Sequence, residues 1–382
     1  MTFLPDLPLS LYIHIPWCAR KCPYCDFNSH QIEGCPDALG YVRALLVDLE
    51  FAVTLIGRRQ VSTIFIGGGT PSLFPPEAIR TLLLGVAQRV DLAADAEITM
   101  EANPGAVEKE WFDGFRAAGV NRLSIGIQSF NDAALLQLGR IHNAEQACAA
   151  IEQAAKSGFD SFNLDLMFAL PGQTPPQALE DLQLAIGFSP AHISYYQLTL
   201  EPNTLFHAQP PVLPEDDDSA EMQEAAQQLL SDAGYAQYEV SAYARAGKQC
   251  RHNLNYWLFG DYLGIGAGAH GKLSDAQGVR RRWRIRHPQA YLDAAGDPAA
   301  VAGERILARN DLILEFMMNA LRLNQGFTTD IFHARTGISF REIEPLLDRA
   351  LERKLLCMDG DKIMTTPDGQ LYLNDLLEDF CL

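Results

Sequence analysis

Leu9-Ser10-Leu11-Tyr12-Ile13-His14-Ile15-Pro16 and the residues that follow it, Trp17-Cys18-Ala19-Arg20-Lys21-Cys22-Pro23-Tyr24-Cys25, decide how this chain reads. The first eight are a β-rich apolar run closed by proline, and three cysteines follow in the spacing Cys-x3-Cys-x2-Cys. A strand that empties into a thiolate loop places metal-ligating groups at its carboxyl end, where ligands gather in parallel β/α folds. Three close thiolates suit an iron–sulfur cluster, which takes four cysteines when closed, so three leave one iron open. The competing reading is a zinc tetrahedron completed by His14 or His30, although structural zinc sites usually draw their ligands from two separated pairs.

Strand followed by polar residue recurs down the chain. Candidate strands at 61–69, 96–104, 122–129, 161–170 and 192–200 alternate with amphipathic stretches at 39–57, 76–90, 108–118, 143–157 and 176–187. That alternation implies right-handed crossovers and a parallel sheet. Glycines end the second strand, Glu101 the third and Gln128 the fourth, while Asp165 lies in the fifth. Groups on consecutive strands converge more easily in a curled sheet than in an open one. We therefore expect an α/β fold whose residues 1–213 form a partial (β/α)6 barrel. The proline and acidic run of LPEDDDSAE (213–221) marks a boundary. A connecting α/β region (214–303) with the HNLNYW motif follows, then a smaller C-terminal α+β region (304–382), winged-helix-like in its helix, helix and hairpin.

Composition narrows the partners. The 382 residues are 48% hydrophobic and 20% charged, a globular balance, and the net charge is −18. A field of that sign repels nucleic-acid phosphates and anionic lipid heads, so neither is expected as a partner. A DNA-reading role for the C-terminal module fails on the same ground, since acids outnumber bases over 327–382. Of eight cysteines, five (Cys35, Cys148, Cys250, Cys357 and Cys381) are scattered without a repeated spacing. That is no disulfide framework and suggests a reducing compartment. With neither a signal peptide nor an apolar run of 18 residues, the chain reads as cytoplasmic, without an integral membrane segment.

Cys-x3-Cys-x2-Cys with an aromatic, Tyr24, before the third cysteine resembles the radical S-adenosylmethionine superfamily. The resemblance implies that the open iron binds the amino and carboxylate groups of S-adenosylmethionine. Gly67-Gly68-Gly69-Thr70-Pro71-Ser72 is similar to the segment that contacts the methionine part; its glycines permit close backbone approach and can present N–H groups to a carboxylate. Glu101 and Asp165, carboxylates within apolar strands, need partners if buried, and a sulfonium, an amino group and a ribose diol supply them.

Taken in order, YIHIPWC, PYCDFNSH, IFIGGGTPS, MEANP, SIGIQSF, LGRIH and LDLMFALPGQT resemble the oxygen-independent coproporphyrinogen III oxidase-like family over nearly the whole chain. By that resemblance Tyr12, Tyr24, Gly68, Gly69, Thr70, Glu101, Gln128, Arg140 and Asp165 contact S-adenosylmethionine, and Cys18, Cys22 and Cys25 hold a 4Fe–4S cluster. Two departures from the oxidase matter. Phe27 stands where the oxidase has a fourth cysteine, and the short N-terminal region leads us to expect that the oxidase's second cofactor pocket is missing. The CDFN variant and His252-Asn253-Leu254-Asn255-Tyr256-Trp257 are instead similar to the family's heme-chaperone branch. This implies heme as cargo, apo-hemoprotein acceptors such as respiratory-chain proteins, peripheral contact with membrane hemoproteins and a reductant for the cluster. It implies no catalytic residue for an oxidase reaction. From the residues alone, the HNLNYW segment reads as a capped helix start packing Trp257 into the core; the resemblance makes His252 a heme ligand beside aromatic surface.

Overall fold

A computed structural model describes residues 7–32, 34, 36–106 and 111–381; Cys35 and the start of the helix expected over 108–118 lie outside them. Six strands alternate with helices: β1 (Leu9–Ile15), β2 (Gln60–Gly68), β3 (Asp91–Ala102), β4 (Arg122–Gln128), β5 (Ser161–Phe168) and β6 (His192–Gln197). Each pairs with the next in parallel, as the alternation predicts. Six of the seven residues of β1 are buried, the pattern of a strand covered on both faces. The crossover helices start where local chemistry permits. Asp37 caps Ala38–Val53, Asn143 and Gln146 form a reciprocal capping box on Ala144–Lys156, and Pro175 opens Pro175–Gly187 after Thr174.

The sheet does not stop at these six. The segment 236–306 adds β7 (Ala236–Glu239), β8 (Ala242–Ala244), β9 (Asp261–Ile265), β10 (His270–Asp275), β11 (Gly278–Arg284) and β12 (Val301–Ile306). The order is β12-β11-β10-β9-β1-β2-β3-β4-β5-β6-β8-β7, so the region after 213 extends both edges of one twelve-stranded sheet. β9 lies parallel to β1, with Leu9 opposite Asp261 and Ile13 opposite Ile265. Alternation read over the first 200 residues had no means of showing that partner.

Two buried ionic networks lock this region to the barrel. Asp261 accepts from Lys272 Nζ at 2.9 Å and Arg59 at 2.8 Å, and Asp48 accepts from Arg284 at 2.7 Å and the Tyr291 hydroxyl at 2.8 Å. Buried pairs with both partners present hold a unique arrangement, whereas removing one partner strands a charge. Beyond β12, the helix Arg309–Ala320 leads to Phe327–Thr328, Thr329–Thr336, Glu344–Glu352 and the hairpin Leu356–Asp359/Lys362–Thr365, whose strands form a separate three-stranded sheet. This module has its own core around Phe316, Phe327, Phe332 and Phe380. Among the described residues no helix is long and apolar enough to cross a membrane.

Candidate functional site

The carboxyl ends of β2 to β6 and the cysteine loop enclose a cavity of about 380 Å³. Cys18, Cys22 and Cys25 line one end, together with Tyr24, Gly68, Gly69, Thr70, Glu101, Gln128, Arg140 and Asp165. The half-buried thiols have polar neighbours: Ser29 Oγ lies 3.6 Å from Cys25 Sγ, and Arg140 donates to Cys22 Sγ at 3.7 Å. Burial raises the Cys18 and Cys25 thiol pKa values, the state that iron coordination reverses. His14 is no fourth ligand. Its Nε2–H donates to the Asn28 carbonyl at 2.9 Å and its Nδ1 meets the Tyr12 hydroxyl at 2.9 Å, so neither ring nitrogen is free for zinc. The three cysteines with an open fourth position fit a cluster better than a single ion. Among the described residues no group of three His, Cys, Asp or Glu side chains closes on one metal.

The glycine turn corrects one expectation. Its N–H groups are already engaged: Gly68 donates to Glu101 Oε2 at 3.0 Å, Gly69 to the Ile15 carbonyl and Thr70 to the Trp17 carbonyl, both at 2.7 Å. Thus these amides hold the protein together and are not aimed at a ligand carboxylate. Glycine is required here by close approach. A Cβ on Gly68, at φ 114°, would lie 2.4 Å from the His14 ring, and one on Gly69 would lie 2.5 Å from the Trp17 carbonyl oxygen.

Glu101 and Asp165 are half-buried in the cavity wall, and both carboxyls are shifted upward. Burial, opposed by the Gly68 N–H and reinforced by Asp165, pushes Glu101 up to about 7. Burial also raises Asp165, although Ser124 and Asn163 donate to it at 2.9 and 2.8 Å. At the mouth, Arg140 bridges Cys22 to the Gly126 carbonyl (2.7 Å) and keeps Nε without a partner. Gln128 takes φ 69°, a strained conformation for a non-glycine residue that ends β4 at the cavity wall.

Tyr12 and His252 do not line this cavity. They line a second one of about 550 Å³, with Tyr256, Trp257, Tyr262 and His270, and Phe65, Gly68, Glu101 and Asn253 belong to both. The 252–270 segment supplies one side of this second cavity, and Tyr12, His14, Asn28, Phe65 and Arg286 line the rest of it. His252 is 8% exposed and lies on the helix Arg251–Trp257; Nδ1 meets Thr63 Oγ1 at 2.9 Å and the ring packs on Phe65 at 5.1 Å. Burial lowers its pKa to about 3, so the ring is neutral. Glu97 of β3 supplies the cap that sequence reading missed, accepting from the Arg251 and His252 amides, both at 3.1 Å. Cys250 is fully buried against Glu97, and burial pushes its thiol up to about 12. Trp257 offers less free surface than expected, because Arg322 covers its ring at 4.5 Å.

The Radical SAM superfamily model matches residues 12–185 and the HemN C-terminal domain model matches 307–372. Heme chaperone HemW of Escherichia coli is 51% identical, over 98% of this chain and 98% of its own length. The chain belongs to the HemW family. Heme chaperone HemW of Haemophilus influenzae is 49% identical over 99% of both chains. Among solved structures, the radical SAM enzyme coproporphyrinogen III oxidase (HemN) of Escherichia coli superposes with a TM-score of 0.83 at 26% identity, covering 99% of this chain and 91% of that one. This HemW-family chain thus has the α/β radical SAM fold with a HemN C-terminal module.

Proposed function

We propose that this chain is a heme chaperone that binds heme and delivers it to apo-hemoproteins, respiratory-chain proteins among them, with a 4Fe–4S cluster and S-adenosylmethionine bound in its barrel. The observation that carries the reading is full-length similarity to proteins named heme chaperone, joined to the HNLNYW helix lining a cavity beside the cysteine loop. Cys18, Cys22 and Cys25 would hold the cluster, and a separate reductant would supply its electron. Tyr24, Gly68, Gly69, Thr70, Glu101, Gln128, Arg140 and Asp165 would surround S-adenosylmethionine, with Tyr12 at the neighbouring cavity. When bound and reduced, the cluster can cleave the sulfonium of S-adenosylmethionine. Acceptors embedded in membranes would be met by peripheral contact.

The test is anaerobic reconstitution, then parallel hemin titration, heme transfer to an apo-hemoprotein, and incubation with coproporphyrinogen III. We expect saturable uptake near one heme per chain, transfer to the acceptor, and no protoporphyrinogen, because Phe27 replaces the oxidase's fourth cysteine. Non-saturable heme uptake ends the chaperone reading; multiple-turnover protoporphyrinogen formation replaces it with the oxidase.

Glu101 gives a pH signature. Its carboxyl titrates near 7 without ligand, and the cationic groups of S-adenosylmethionine favour the ionised form. Affinity for S-adenosylmethionine should therefore rise about tenfold from pH 6 to pH 8, as one proton is linked to binding. Glu101→Gln should flatten the profile at the weaker level. A flat profile in the unmodified protein would take Glu101 out of the site.

A further inference from the structure

Most buried polar groups deep in the barrel satisfy one another. Asn163 donates to Ser124 and Asp165 and accepts from Ser194, while His192 bridges Asn163 (2.6 Å) and the Tyr238 hydroxyl (2.8 Å). Arg122 does not join them. It is 4% exposed and lines the cavity, its Nε is sealed from solvent without a partner, and its guanidinium makes no hydrogen bond or ion pair among the described residues. Glu97, Cys250, Tyr238 and Asp165 lie around it, and the two carboxylates favour its charge, but none of them hydrogen-bonds it. A guanidinium presents five donors in a fork matched to a carboxylate, and here one of its nitrogens, Nε, is sealed off without a partner, which is costly.

Position decides which carboxylate. Arg122 opens β4, and Gly126, whose carbonyl is tied through Arg140 to Cys22, marks the level of the cysteine loop. Four residues of strand put Arg122 about 13 Å below that level. Its side chain spans part of that rise, within electrostatic range of Asp165, which pairs opposite Gly126, and of His252 on the wall of the second cavity. The second cavity is closer in kind: Asn253 lines both cavities next to His252, and Phe65 forms their shared wall.

We infer that Arg122 is the recognition site for a propionate carboxylate of the heme, which descends from the second cavity into the barrel while the iron stays beside the HNLNYW helix. The inference rests on the heme reading above and adds the residue that selects a porphyrin by its acid group. An interior cation of this kind also lets a chain of net charge −18 accept a dianionic porphyrin.

The experiment titrates the full reconstituted chain with hemin and with hemin dimethyl ester, whose propionates are uncharged. Wild type should bind hemin about tenfold or more tightly than the ester, the value of a buried charge-assisted pair. Arg122→Gln should bring hemin down to the ester's affinity and leave the ester and S-adenosylmethionine unchanged; Arg122→Lys should keep part of the preference. Equal weakening toward hemin and ester, unchanged hemin affinity, or loss of S-adenosylmethionine affinity alone each overturns the assignment. Should Arg122→Gln not fold, the wild-type comparison still decides, because equal affinity for hemin and ester overturns it. Saturable hemin binding without acid preference refutes Arg122 alone, whereas non-saturable uptake removes the heme reading and this inference with it.

Discussion

Cys22→Ser empties the barrel mouth, taking iron and sulfide from about four of each per chain to background after anaerobic reconstitution. Serine keeps the shape but is a poor iron ligand, and two remaining thiolates cannot anchor a cluster that already lacks a fourth. The fold should survive. The cysteine is half-buried in a loop, and the buried apolar core lies in the strands and crossover helices. A stability change within about 1 kcal/mol follows, since no core volume is removed. Metal and sulfide counts with a thermal melt check both halves. Full iron retention in the variant, or stoichiometric zinc in the unmodified protein, would sink the cluster assignment.

His252→Ala should weaken hemin binding by about a hundredfold or more and shift the Soret band, while cluster content stays at wild-type level. The structure specifies which nitrogen is available. Nδ1 is occupied by Thr63 Oγ1, itself donating to Ser10 Oγ at 2.7 Å, so ligation falls to Nε2 with the ring orientation set from behind. Thr63→Val is the companion variant: it keeps the imidazole, frees its rotation and should weaken hemin binding by about tenfold. Absorbance titrations of the three proteins, with iron counts, provide the measurement. Unchanged affinity and spectrum in His252→Ala would move the ligand to His270, which lines the same cavity. Cys250 is the poorer alternative, a buried thiol held protonated and turned toward Glu97.

Much of this was legible in the sequence because strand and helix periods are local, and because Cys18, Cys22, Cys25, Glu101 and Asp165 are polar interruptions of apolar elements. Three features were not. The partner of β1 comes from β9, hundreds of residues away, and no local pattern encodes such a pairing. Glu97 caps a distant helix, which reads in sequence as an ordinary strand charge. Arg122 carried a usable signal, a charge opening the apolar run RLSIGIQ, but it stands at the amino end of its strand, away from the carboxyl ends where ligand groups gather. Nor does local pattern show where the glycine turn's amides donate: those of Gly69, Thr70 and Gly68 serve Ile15, Trp17 and Glu101.

The pairing of β9 with β1 also bears on how the chain is made. Until Ile265 has left the ribosome, β1 has β2 on one side and an open edge on the other. At ordinary synthesis rates that interval lasts roughly 10–50 s. An uncovered apolar edge is a template for wrong partners. The cysteine loop is unfinished through the same interval, because Asn28 is anchored by the carbonyls of Ala267 and Arg286, both at 2.9 Å. The nascent chain thus displays its three thiols long before the walls that orient them exist. Metal loading belongs after release, and a holdase that shields LSLYIHI would raise the yield of chains able to receive it.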